Sequence, residues 1–237
     1  MTDYSPLLST IQKITHGFGD KSALLPLSLQ PYRSTLAEKK QVHGIRIVDI
    51  NQPAQHCGEA DGFFTREPGI LIAVLTADCL PVIFSRKDGS AIGAVHAGWR
   101  GLLHGIVEQM AKRINRDDST GNWVASIGAA AGACCYEVNE ELITHFKQLL
   151  PYPAEIISPS YRHLDLAAIA KNKLNDLGFA AVDQAGSCTL CTLDSTRTQP
   201  QYFKYTSYRR NSRHRQQDPS YPDIKGRNQY SGIVITG

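Results

Sequence analysis

Three side chains in this 237-residue chain carry chemistry that packing alone does not explain: His43 in "QVHG", Cys79 in "TADC" and His96 in "AVHAGWRG". Each stands at the edge of an apolar stretch, beside a turn, where scaffolds present working side chains. Two imidazoles and a thiol are a donor set for zinc. Zinc takes N and S ligands and, in catalytic sites, leaves one position for water or substrate. An ion held this way brings the pKa of bound water towards neutrality. The separations of 36 and then 17 residues match no local finger motif, so only the fold can bring the three together. Asp78 or Gln41 could orient a ligand histidine. The same atoms also support a metal-free reading, with Cys79 as nucleophile and His96 as its base. A third reading makes both histidines satisfied core residues.

Gly98 and Gly101 bracket Trp99 and Arg100 at an expected helix start. Glycine there lets a ligand approach the backbone, and the first-turn N–H groups suit an anion such as phosphate, with Arg100 as a fork. Equally, the glycines could serve only close helix–strand packing. The other histidines, 16, 56, 104, 145, 163 and 214, have no comparable setting, and no H-x-H pair occurs. A copper cluster, which needs many imidazoles together, is therefore poorly supported.

The elements that must position these residues follow from periodicity. Strands are expected at 45–50, 70–77, 81–84 and 91–96, with Asp88-Gly89 turning the last pair, and further strands at "WVASIGA", "YFKYTSYR" and "YSGIVIT". A helix is expected from Trp99 through Ile114, on apolar positions spaced i, i+3, i+4, i+7. Two more are expected at 139–150, capped by Asn139, and 165–178, capped by Asp165 and stopped by Gly178. The stretch 151–160 reads as a surface loop. Clustered strands with helices between clusters give an α+β class in mixed layers, expected as a single domain over 1–237.

Composition sets the outer limits. With 42% hydrophobic residues, 20% charged and a net charge of +3, the chain is ordinary globular material and too weakly basic to argue for nucleic acid. The run of Arg209, Arg210, Arg213, His214 and Arg215 reads as a solvated loop or as arginines serving a small anion, since no nucleic-acid motif accompanies it. No apolar run long enough for a membrane span occurs, and the start has no secretory pattern, so a cytoplasmic location is expected. The cysteines are then expected to be reduced. Cys134-Cys135 and the C-x-x-C of Cys188 and Cys191 lack the paired spacing of zinc ribbons and read as small buried hydrophobes.

In order along the chain, "KQVHG", "EADGFFT", "VLTADCLPVIF", "GAVHAGWRGLLHGIV", "CCYEV", "HLDL", "CT" and "SYRR" resemble the laccase-domain (YfiH-like) family, from about residue 40 to about 210. The resemblance implies an α/β/β/α sandwich of mixed sheets. It implies a zinc-dependent purine nucleoside phosphorylase acting on adenosine, inosine and S-methyl-5'-thioadenosine, with adenosine deaminase activity. The implied zinc ligands are His43, Cys79 and His96. Separately from the resemblance, Cys79, His96 and Asp78 are the expected catalytic residues, with Asp78 as the expected proton shuttle. Arg100, Arg209, Arg210 and Gln41 are the expected substrate-binding residues. Nucleosides and phosphate are the expected partners of a monomer that engages neither nucleic acid nor membrane. Alternatives within the resemblance are a metal-free Cys–His hydrolase, with a link to peptidoglycan fidelity, and a copper polyphenol oxidase. The chain departs from the family pattern in a compressed segment before His43, in "GAAAG" at 128–132, and in the insertion between "SYRR" and Gly226-Arg227.

Overall fold

The computed structural model describes residues 3–196 and 202–237. In chain order the strands are β1 Ile14–Phe18, β2 Glu38–Lys40, β3 Ile47–Asp49, β4 His56–Glu59, β5 Gly62–Thr65, β6 Ile72–Thr76, β7 Leu80–Arg86, β8 Ile92–Ala97, β9 Trp123–Ile127, β10 Ala181–Gln184 and β11 Gln229–Ile235. The α-helices are α1 Trp99–His104, α2 Ile106–Ile114, α3 Glu140–Leu149, α4 Ala154–Ile157, α5 Leu166–Asp176 and α6 Tyr208–Gln217.

A six-stranded mixed sheet has the order β10-β9-β7-β8-β5-β3, antiparallel at its centre and parallel at both edges. An antiparallel sheet, β1-β11-β6, packs against it, and β2 pairs with β4 in a small parallel ribbon. Side chains along β7 and β8 alternate between faces, as a pleated strand requires. Leu80, Val82, Phe84, Val95 and Ala97 join the core under α1, α2 and α5, whereas Ile83, Ile92 and Ala94 fill the space between the two sheets. On β6, Ile72 and Val74 face that same space, and Ala73 faces a third core under the 3₁₀ segment Leu27–Thr35. The layers thus run helices, sheet, sheet, helical cover, as the α/β/β/α expectation has it. The cover over the small sheet is 3₁₀ rather than α, and Pro31 lies within it, a residue that cannot donate to an α-helical ladder. The outer edge of β6 is covered by side chains. Gln41 donates to the Leu75 carbonyl at 2.8 Å and accepts from the Leu75 N–H at 2.8 Å, while Lys39 Nζ donates to the Ala73 carbonyl at 2.5 Å.

Four expectations are corrected. The helix through 99–114 is two helices, because Gly105 adopts φ 98° and closes α1 with its N–H on the Gly101 carbonyl. "YFKYTSYR" is no strand, since Ser207 Oγ accepts from the Arg210 N–H at 3.1 Å and caps α6. The arginine run is therefore helical, not a solvated loop. Within 151–160 the short helix α4 interrupts the expected loop. Asn139 and Asp165 do cap α3 and α5, accepting from Leu142 N at 3.1 Å and Ala168 N at 2.9 Å.

β1 also carries a pH-sensitive group. His16 is buried, and its Nε2 accepts the Ser5 N–H at 2.9 Å, which only the neutral ring can do. Burial, outweighing the nearby Asp183 carboxylate, lowers its pKa to about 4. The unfolded chain, with an ordinary histidine, binds the extra proton between pH 6.5 and about 4. Stability is therefore full above that window and falls as pH drops through it. From this residue, urea unfolding should lose about 2 kcal/mol between pH 8 and pH 5. The His16→Gln variant should lack that part of the slope, and equal slopes would refute the assignment.

Candidate active site

The fold places Asp61, His96 and Cys79 by strand pairing. β8 lies between β7 and β5, with Pro81 opposite His96 and Gly62 opposite Val95. Asp61, one residue before β5, then accepts the His96 backbone at its own carbonyl, at 2.7 Å. Its carboxylate meets His96 Nδ1 at 2.7 Å. Cys79 sits in the bend between β6 and β7. His43 comes from the loop between β2 and β3, and that loop is held by the same carboxylate. Asp61 accepts the N–H groups of Val42, His43 and Gly44 at 3.1, 2.9 and 2.8 Å. One fully buried acid thus orders the loop that carries one histidine and fixes the ring of the other. An ionised carboxylate only accepts, so His96 carries its proton on Nδ1 and turns Nε2 outwards. Burial raises the Asp61 pKa, but the bonds from His96, Gly44 and Val42 outweigh it and keep the group ionised.

The outcome is convergence. One ligand atom from each of His43, Cys79 and His96 lies within 4.8 Å of the others, and the imidazole centroids are 4.8 Å apart, edge to face. Gly98 makes room for this. A Cβ there would come 2.7 Å from His43 Cδ2 and 3.1 Å from Cys79 Sγ. Gly101 does the same for the Gly44 carbonyl, which a Cβ would approach to 3.0 Å. Of the two readings of those glycines, close packing is what they perform here. Burial opposes ionisation of the Cys79 thiol, yet bonds from His43 and His96 prevail and lower its pKa. Burial likewise opposes a charge on His96, but Asp61 and Cys79 outweigh it and raise its pKa. The thiol is thereby disposed to ionise, as a metal ligand or nucleophile must. Two nitrogens and one sulfur, with a third side available to solvent through exposed His43, fit a zinc site that keeps a position free.

The triad lies in the wall of a cavity of about 630 Å³, within the size range of small-molecule pockets. Leu75, Tyr136, Tyr208 and Ile224 give it apolar and aromatic surface, and Lys39, Gln41, Asp78, Arg209 and Asn228 give it polar groups. Ile224 shows that the inserted region after "SYRR" does reach the pocket.

Not every expected residue is there. Arg100 is exposed, its guanidinium rests on the Trp99 ring, and it does not line the cavity. Arg210 is buried, donates to the carbonyls of Thr189, Leu190 and Tyr205, and does not line the cavity. Gln41 lines the cavity while its amide is spent on Leu75. Asp78 lines it too, but its carboxylate accepts from Thr189 Oγ1 at 2.6 Å and from the Arg209 N–H at 2.7 Å. Arg209 remains at the cavity, flat over Tyr136 at 4.7 Å, with one arm on the Glu137 carbonyl. Two residues were missed. Asp61 fills the orienting role considered for Asp78 or Gln41, and Lys39 is a second cation at the cavity. The cysteine expectation is also overturned: Cys134 and Cys191 are exposed, and both lie with Cys135 and Cys188 in one cluster.

Among the described residues no helix is long and apolar enough to cross a membrane. The chain is 33% identical over 182 residues to a purine nucleoside phosphorylase of Xylella fastidiosa, spanning 73% of this chain and 68% of that protein. It is 30% identical over 177 residues to a purine nucleoside phosphorylase of Haemophilus influenzae, spanning 73% and 68%. A solved Neisseria meningitidis protein has the same fold, with a TM-score of 0.76 over 100% of this chain and 99% of that one, at 21% identity. Residues 22–216 match the family described as multi-copper polyphenol oxidoreductase laccase, and the chain belongs to that family.

Proposed function

We propose that this chain is a purine nucleoside phosphorylase that works with zinc held by His43, Cys79 and His96. Its expected substrates are adenosine, inosine and S-methyl-5'-thioadenosine, and it also deaminates adenosine. The observation that carries the reading is the meeting of two imidazoles and one thiol in the wall of a nucleoside-sized cavity. The names of the relatives point the same way. Zinc in such a place supplies Lewis acidity and brings the pKa of a water towards neutrality.

The remaining chemistry falls to the chain itself. Once His96 gives up its second proton, Asp61 keeps it in the tautomer that leaves Nε2 free. Tyr136, Tyr208 and Leu75 offer surfaces for a purine ring, and Arg209 and Lys39 offer the charge for phosphate. In phosphorolysis a phosphate oxygen bonds C1' as the bond from C1' to the base breaks, and the base leaves with a proton. In deamination water adds at C6 and ammonia leaves. Copper is the less suitable ion. A copper cluster needs many imidazoles together, and among the described residues lining the cavity only His43 and His96 supply one. A second reading, a metal-free cysteine hydrolase, draws on the line Asp61–His96–Cys79.

Chromatography of products tests the proposal. Adenosine should give adenine and ribose 1-phosphate only with phosphate present, and inosine with or without it. Neither product from any nucleoside would refute it. Arg209→Ala should raise the KM for phosphate at least about tenfold, the loss of one charge-assisted hydrogen bond, with a smaller effect on the phosphate-independent reaction. An unchanged KM would remove Arg209 from the phosphate site.

A further inference from the structure

Four cysteines outside the cavity form a second constellation. Cys134 and Cys135 lie in the turn after Gly132, which accepts the N–H groups of Cys135 and Tyr136 at 2.9 Å each. Cys188 and Cys191 come from a loop more than fifty residues later along the chain. Their four sulfurs all lie within 4.8 Å of one another, and Cys134 Sγ stands 3.6 Å from Cys191 Sγ. Four sulfurs at about 2.3 Å from a tetrahedral ion stand about 3.8 Å apart, whereas a disulfide needs about 2.05 Å.

Backbone donors surround one of these sulfurs. The Gly132 N–H points at Cys188 Sγ at 3.3 Å, and the N–H groups of Leu190 and Cys191 also reach that sulfur. A sulfur that collects the N–H groups two and three residues ahead is folded into a knuckle. The two residues inside the knuckle, Thr189 and Leu190, are braced through their carbonyls by the buried guanidinium of Arg210. A cation there offsets the dianion that four thiolates and a divalent ion would form. Gly132 also fits closely, since a Cβ there would come 3.1 Å from Cys188 Cβ.

We infer that Cys134, Cys135, Cys188 and Cys191 form a structural zinc site that joins the loop carrying Tyr136 to the loop whose Thr189 holds Asp78. All-sulfur tetrahedral sets select zinc or iron–sulfur centres, and a closed four-ligand site is structural rather than catalytic. Each thiol gives up its proton as the ion binds. The site connects to the cavity at two points. Tyr136, next to Cys135, lines it, and Thr189, next to Cys188, holds the Asp78 carboxylate beside Cys79.

Zinc counting by elemental analysis, on chain purified from zinc-supplemented cells, tests this separately from the proposal above. The unaltered chain should hold two zinc ions. Cys79→Ser should keep one, and X-ray absorption should place only sulfur around it, at about 2.3 Å. The paired variant Cys188→Ser with Cys191→Ser should also keep one, with nitrogen in its shell. A single zinc that vanishes in Cys79→Ser would overturn the inference and leave the phosphorylase proposal standing. A single zinc that survives Cys79→Ser with an all-sulfur shell would do the reverse. Because Cys79→Ser leaves the four cysteines intact, the result does not depend on the paired variant folding. Iron in the all-sulfur shell, or four thiols missing on titration of metal-free unfolded chain, would overturn the zinc assignment.

Discussion

Asp61→Asn should lower zinc occupancy of the His43–Cys79–His96 set and turnover together by about 10- to 100-fold, the usual cost of losing a partner behind a metal-binding histidine. The geometry makes this residue hard to imitate. All four groups around its carboxylate donate: the His96 ring and the N–H groups of Val42, His43 and Gly44. An asparagine must turn its NH₂ towards at least one of them. If it faces the ring, Nδ1 becomes an acceptor and the proton moves to Nε2, where it blocks coordination. If it faces the loop, N–H opposes N–H and the His43 segment loosens. Equilibrium dialysis with zinc measures the first effect, and product assays the second. Asp61→Ala should be harsher. It orphans three backbone donors, each worth about 1–3 kcal/mol when buried without a partner, so thermal unfolding should move down by many degrees or the chain should not accumulate. An Asp61→Asn protein with full zinc content and full activity would show that the carboxylate only braces the loop.

Cys79→Ser and His43→Ala should each abolish zinc binding at this site and lower kcat/KM on the order of 10³-fold, the several kcal/mol that a Lewis-acid ion supplies. Serine keeps the shape of Cys79 but not its acidity, so it presents no anionic donor at neutral pH. The pair of variants also decides between the two chemistries. If zinc is the working group, both fail alike. In a cysteine hydrolase His43 is a neighbour and not the base, so His43→Ala would stay active while Cys79→Ser would be dead. Zinc content and turnover, measured on the same preparations, distinguish the cases.

Much of this site was legible along the chain, and what escaped did so for physical reasons. His43, Cys79 and His96 could be singled out because each interrupts an apolar pattern at a strand end. Asp61 gave no such signal. An acid before a strand looks like any surface acid until β5 pairs with β8 and its carboxylate meets a ring 35 residues ahead. Arg210 was misjudged for the opposite reason: an arginine run suggests an anion, and nothing local reveals that one member is buried on backbone carbonyls. The aromatic alternation of "YFKYTSYR" imitates a strand, and only the Ser207 cap shows where the helix starts. Likewise, a cysteine pair and a C-x-x-C far apart in sequence join only through the bridge between Ala130 and Cys188 beside β9 and β10.

His43 has φ 61° and Asp78 has φ 95°, backbone angles at which side chains with a Cβ are uncomfortable. His43 is one of the proposed ligands and Asp78 precedes another, so the molecule carries tension where it works and draws on the rest of its structure to sustain it. Selection for heat resistance alone would therefore favour glycine at position 43, whereas the Asp78 carboxylate also holds Thr189 and the Arg209 N–H. Such a lineage would grow sturdier as it forgot its reaction.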